Sequence, residues 1–125
     1  MTDRELLELA AKAAGMPGKW DENDDGWFVP YEGDGFISLI RWDPLIRDGD
    51  ALRLAVKLNL RIAVREFRAE VFHQRMLDPA VDILGFELSE PIIKLLAKED
   101  HDSDAYAATR RAIVRAAAEI GKGME

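Results

Sequence analysis

The sequence predicts an α+β domain, an antiparallel sheet of four to six strands covered by three helices as an α-β-α sandwich, in the order α-ββ-α-βββ(β)-α. Three observations predict it. Apolar residues recur at helical spacing near 2–15, 50–58 and 104–120. Short apolar and aromatic runs separated by turn residues lie between them, and such neighbours pair antiparallel. No repeat or linker interrupts the 125 residues, and at 48% hydrophobic they suffice for one core, so residues 1–125 form a single domain.

Thr2 and Glu5 form a capping box for the first helix, whose apolar stripe is Leu6, Leu9, Ala10 and Ala13; Gly15 and Pro17 end it. MPGKWDENDDG follows as a loop. WFVPY and FISLIRW, joined by EGDG, have the pattern of a hairpin, closed by Asp43-Pro44. RDGD offers an acidic N-cap to ALRLAVKL, where Arg53 and Lys57 are the only polar stripe, so this helix is expected to be largely covered. Asn59 suits a left-handed C-terminus, and Leu60, Ile62, Val64 alternate with Arg61, Ala63, Arg65 as in a half-buried strand. Further strands with turns at 77–80 and 89–91 fill Phe67 to Lys98; PIIKLLAKE is read as strand, with a short helix after Pro91 as the alternative. Asp102, Ser103 or Asp104 caps the alanine-rich last helix, which Gly121 ends. Leu52, Val56, Ile62, Val64, Ile113 and Ile120 are the expected core.

Charge is polarised. Residues 21–50 hold nine acidic side chains against Arg41 and Arg47 and so carry the whole net charge of −7, while residues 51–77 have a local excess of +4. Generic nucleic-acid binding is disfavoured, because long-range repulsion opposes the phosphate attraction that dominates such affinity. The absence of cysteine excludes disulfides, thiolate metal sites and a cysteine nucleophile. MTDRELLELA has neither a signal-peptide pattern nor a membrane-spanning one, and no membrane association is expected.

WDPLIRDGDALRLAVKLNLRI in the middle and AYAATRRAIVRAAAEIG at the end, with the opening ELLELAAKAAG, resemble the small proteins encoded by tailed bacteriophages and prophages that carry a phage ABA (α-β-α) sandwich domain. The resemblance covers roughly half the chain, departs from the family pattern at Asp43, where asparagine is usual, and does not extend to residues 64–102. It implies a sandwich fold, a phage or prophage origin and residence in the bacterial host cytoplasm. It implies no activity and supplies no catalytic residues. Physically, WDPL and RDGDALRLAVKL suit a tryptophan plugging the edge of the core, a proline turn and a capped helix.

Several motifs bear on chemistry. DENDDGWFVPYE fits the calcium-loop pattern D-x-[DN]-x-[DN]-G-x5-E through Asp21, Asn23, Asp25, Gly26 and Glu32. Gly15, Pro17 and Gly18 break the approaching helix, Pro30 and Gly33-Asp34-Gly35 the departing one, so a turn followed by a strand is preferred. DHDSD, with His101 among Asp100, Asp102 and Asp104, is better explained as a solvated loop ending in an N-cap than as a metal site. His73 lies in a strand pattern without a nearby histidine, and there is no nucleophile elbow, phosphate loop or dinucleotide fingerprint. Arg110, Arg111 and Arg115 suit an ion-paired face better than a phosphate-binding one.

The expectation is a non-enzymatic protein-interaction module that uses segment 21–50, with Asp21, Glu22, Asp24, Asp25, Trp27 and Asp34 as partner-binding residues, no cofactor, and either itself or a bacterial host factor as partner. Two alternatives are a metal-dependent enzyme built on the carboxylates of 21–25 or 100–104, and a nucleic-acid-associated protein using the basic residues of 53–75 and 110–115. The charge polarity also suggests a weak homodimer in which acidic face meets basic face. Intramolecular neutralisation of the same charges is the alternative.

Overall fold

The computed structural model describes residues 1–33, 35–65, 68–76, 91–100 and 104–124, and of residues 32, 36, 73–76 and 91–96 it describes the backbone. Helix α1 (Asp3–Ala14) opens the chain, followed by strands β1 (Lys19–Asp21), β2 (Gly26–Gly33) and β3 (Phe36–Trp42). Helix α2 (Asp48–Lys57) leads to β4 (Leu60–Val64), β5 (Arg68–Met76) and β6 (Pro91–Asp100), and helix α3 (Ala105–Lys122) closes the fold. The α+β class and the alternation of helices and strands follow the sequence pattern, and residues 91–98 are strand.

The helix ends obey local chemistry. The Thr2 hydroxyl accepts from the Glu5 N–H at 3.2 Å, and Gly15 closes α1 at φ +63°. Of the three candidate caps on α3, Asp104 does the work, accepting from the Ala107 N–H at 3.0 Å. Asn59 takes the left-handed conformation at φ +55°. The cap of α2 differs from expectation: Arg47 stands at the N-cap without a side-chain bond, and Asp48 and Asp50 lie inside the first turn, where they favour the helix dipole.

The strands correct the picture of one sheet. Among the described residues six strands fall into two antiparallel three-stranded sheets, β1-β2-β3 and β4-β5-β6. The stretch read as loop contains β1, which pairs Trp20 with Trp27. Helix α3 packs against α1, α2, β5 and β6 together. Its buried residues Ala112, Ile113, Val114, Ala116, Ala117 and Ala118 are mostly small, and so are Ala69, Val71 and Ala97 on the sheet beneath, which lets backbones approach closely. Gly121 is not a helix stop but part of this contact: a Cβ there would stand 2.1 Å from the Leu9 carbonyl oxygen of α1.

The core list also needs correction. Ile113 is buried and Ile62 and Ile120 are half-buried, but Leu52 (61% exposed), Val56 (72%) and Val64 (57%) face outward. Helix α2 is therefore not largely covered. Its buried apolar residues are Ala51, Leu54 and Ala55, one stripe, and among the described residues no element covers the face that carries Leu52 and Val56.

Candidate functional site

The acidic segment 21–50 begins as a hairpin turn. The Asp21 carboxylate accepts from the backbone N–H groups of Asn23 and Asp24 at 2.8 and 3.2 Å, Asp25 adopts φ +49°, and Asp21 pairs with Gly26 across β1 and β2. Arg41 of β3 staples the turn by donating to the carbonyl oxygens of Asp25 at 3.1 Å and Asp24 at 3.5 Å. Glu32 lies six residues along β2 from Gly26, about 20 Å away at ~3.3 Å per residue, so it cannot join Asp21, Asn23 and Asp25 in one coordination shell. The segment is thus a turn followed by a strand, as expected from its residue types. Asp34 lies outside the described residues.

The remaining acids meet arginines from distant parts of the chain. Glu22 pairs with Arg4 at 2.7 Å, and Arg4, which Glu8 also holds, keeps its proton more tightly than usual through these bonds. Asp48 pairs with Arg110 at 2.7 Å and Asp50 with Arg53 at 2.7 Å. Asp50 also accepts from the buried Asp43 N–H at 3.0 Å, while Asp43 accepts from the Leu45 N–H at 3.2 Å. This is the physical content of WDPLIRDGD: two carboxylates hold the chain reversal around Pro44, which is fully buried. Trp42 plugs the core beside it.

The tryptophans are structural, Trp27 included. Trp42 is buried, Trp27 is half-buried and donates its indole N–H to the Pro17 carbonyl at 3.1 Å, and Trp20 lies under Arg4, whose guanidinium is 5.3 Å from the ring centroid. Among the proposed binding residues, Asp24 and Asp25 keep exposed carboxylates, whereas Asp21, Glu22 and Trp27 are engaged within the fold.

The other candidate surfaces resolve similarly. Arg111 and Arg115 of α3 both reach Glu99, at 3.5 and 2.7 Å, and Arg111 also reaches Asp3, so this helix carries an ion-paired face. On the side of sheet β4-β5-β6 away from α3, Arg61, Arg65, Arg68 and Lys98 alternate with Glu70 and Asp100, with ion pairs Arg65–Glu70 and Arg68–Asp100. Positive and negative charges are interleaved there. Asp100 ends β6 and Asp104 caps α3, while His101, Asp102 and Ser103 lie outside the described residues, as does the His73 side chain. Among the described residues no three histidine, aspartate or glutamate side chains gather as metal ligands. No described helix is long and apolar enough to cross a membrane.

Beside the Asp24 and Asp25 carboxylates, segment 21–50 leaves an apolar surface open. Among the described residues strand β3 is the edge of its sheet, paired with β2 alone, and Ile37 is 77%, Leu39 63% and Ile40 47% exposed. Trp27, Val29 and Trp42 anchor the base of the β2–β3 hairpin on the core, and Ile40 and Tyr31 continue the same face beyond it. Ile37 and Leu39 occupy the opposite face. A second apolar opening, a groove of about 540 Å³ between α2, β4 and α3, is lined by Leu52, Ile62, Val64, Tyr106 and Ile113, with Asp48 and Arg110 already paired at its rim. The signal for the first was present in FISLIRW, whose alternate positions are Phe36, Ser38, Ile40 and Trp42 on one face and Ile37, Leu39 and Arg41 on the other, so that no charge stands on either face before Arg41.

No protein-family model, no curated protein and no solved structure matches this chain.

Proposed function

We propose that this chain is a non-enzymatic protein-interaction module whose contact surface is the β2–β3 hairpin within segment 21–50. One observation carries the proposal: among the described residues β3 is paired on one side alone, with Ile37 and Leu39 mostly exposed and no charge between Phe36 and Ile40. Edge strands are normally protected by charge, proline or cover, because their free N–H and C=O groups recruit other strands. Removing Ile37, Leu39 and Ile40 from water is worth roughly 1–2 kcal/mol each, which adds to the backbone hydrogen bonds an incoming strand would make. The carboxylates of the turn at 21–25 border the hairpin's base and are the rim of this surface rather than its centre.

The wider setting, a phage- or prophage-encoded accessory protein of the bacterial cytoplasm that contacts itself or a host factor, is supported by the resemblance of WDPLIRDGDALRLAVKLNLRI and AYAATRRAIVRAAAEIG and by the cysteine-free composition. The test is site-specific photo-crosslinking in bacterial cells, with the reactive residue at position 39 or, as a control, at position 119 on the exposed side of α3. Crosslinks confined to position 39 and lost on Ile37→Lys are expected. Equal or absent crosslinking at the two positions would overturn the assignment.

A further inference from the structure

We infer that the partner of the β3 edge is β3 of a second copy, joined antiparallel across a two-fold axis at Ser38; this rests on the hairpin being the contact surface. The backbone sets the phase. Pro30 pairs with Leu39 and has no N–H to give, so this is a non-hydrogen-bonded position of the ladder. Leu39 therefore turns its own N–H and C=O away from β2 toward the free edge, and Ile37 and Arg41, two residues either side, do the same. An incoming antiparallel strand bonds to those residues.

A two-fold joint needs a strand complementary to itself. With Ser38 facing Ser38 of the partner, Ile37 lies opposite Leu39 as a hydrogen-bonded pair, and Phe36 lies opposite Ile40. Large apolar residues face large apolar residues, and the small hydroxyls meet at the axis. Charge agrees with this register. Arg41, the first charged residue of β3, falls opposite Gly35, so no like charges are opposed, whereas a shift that set Leu39 against Leu39 would place Arg41 on Ile37. The acidic turns at the hairpin bases lie at opposite ends of the joint strands. Joining turns two three-stranded sheets into one of six strands. The contact is one strand and its flanking side chains, less than the ~800 Å² per partner of a standard stable interface, so the dimer is weak and concentration-dependent.

The absence of native cysteine makes the register directly testable. Residues facing each other at a non-hydrogen-bonded position have Cα atoms about 4.5 Å apart, within disulfide reach. Ser38→Cys should form a covalent dimer under mild oxidation, while Val56→Cys, on the exposed side of α2, should not at the same concentration. Sedimentation of the unmodified protein should show a monomer–dimer equilibrium between micromolar and millimolar concentrations. Leu39→Lys should weaken it at least tenfold. Leu39→Pro, which removes only the outward N–H because position 39 gives none to β2, should do likewise with an unchanged circular dichroism spectrum, and Leu39→Lys decides the matter if that variant does not fold. A monomer at every concentration, or equal crosslinking of the two cysteine variants, would sink the self-pairing. Crosslinks from position 39 to a different protein would then leave the hairpin as the contact surface, and their absence as well would remove both.

Discussion

At the scale of single residues, carboxylates decide the local structure of the acidic segment. Asp50 is buried and satisfies the equally buried Asp43 N–H, with Arg53 on its other oxygen. Asp50→Ala should cost about 1–3 kcal/mol in denaturant unfolding, since it orphans that N–H. Asp50→Asn keeps an acceptor and should cost less. The carboxylate of Asp21 is occupied within its turn and Glu32 stands far along β2, so millimolar Ca²⁺ should leave the melting temperature unchanged. Specific binding at a hundredfold excess over Kd would add on the order of 3 kcal/mol. A rise of several degrees that vanishes in an Asp21→Ala, Asp25→Ala double variant would refute the turn.

At the scale of elements, the informative comparison is between two helices of similar sequence character. Both α2 and α3 are rich in apolar residues, yet α3 is wrapped by α1, α2 and the second sheet, while α2 docks by one alanine- and leucine-lined stripe. Ile113→Asp should therefore destabilise the domain by several kcal/mol, because an unpaired charge enters the core. Val56→Asp should stay within about 0.5 kcal/mol of wild type, as surface substitutions usually do. A comparable loss in both variants would contradict this packing. Gly121→Ala should cost about 1–3 kcal/mol in thermal or denaturant unfolding, since its methyl meets the backbone of α1 rather than a yielding side chain.

At the scale of the molecule, the charge polarity seen along the chain is partly folded away. Arg4, Arg41, Arg53 and Arg110 come to Glu22, Asp43, Asp50 and Asp48, so four of the nine acids in segment 21–50 have ion-pair partners within the chain, while Asp24 and Asp25 stay exposed. Self-association through an apolar strand should consequently persist as salt rises. Sedimentation in low and high salt distinguishes the two routes, because contacts between exposed charges loosen once screening falls below about 10 Å.

Much of the fold was legible along the chain because its rules are local. Thr2 and Asp104 cap, Gly15 and Asn59 terminate, and the change from helical to alternating period marks the strands whatever else surrounds them. Tertiary structure alone decided that the six described strands divide into two sheets, that Leu52, Val56 and Val64 stay bare, and that Gly121 is a packing contact. An apolar residue satisfies the same periodicity whether or not another element arrives to cover it, and the approach of distant elements is written in no window of neighbouring residues. The candidate site was half legible for the same reason. Segment 21–50 stood out by its charge, but Glu22, Asp50 and Asp48 found arginines from residues 4, 53 and 110, and the apolar surface that stays exposed is on the strand between them.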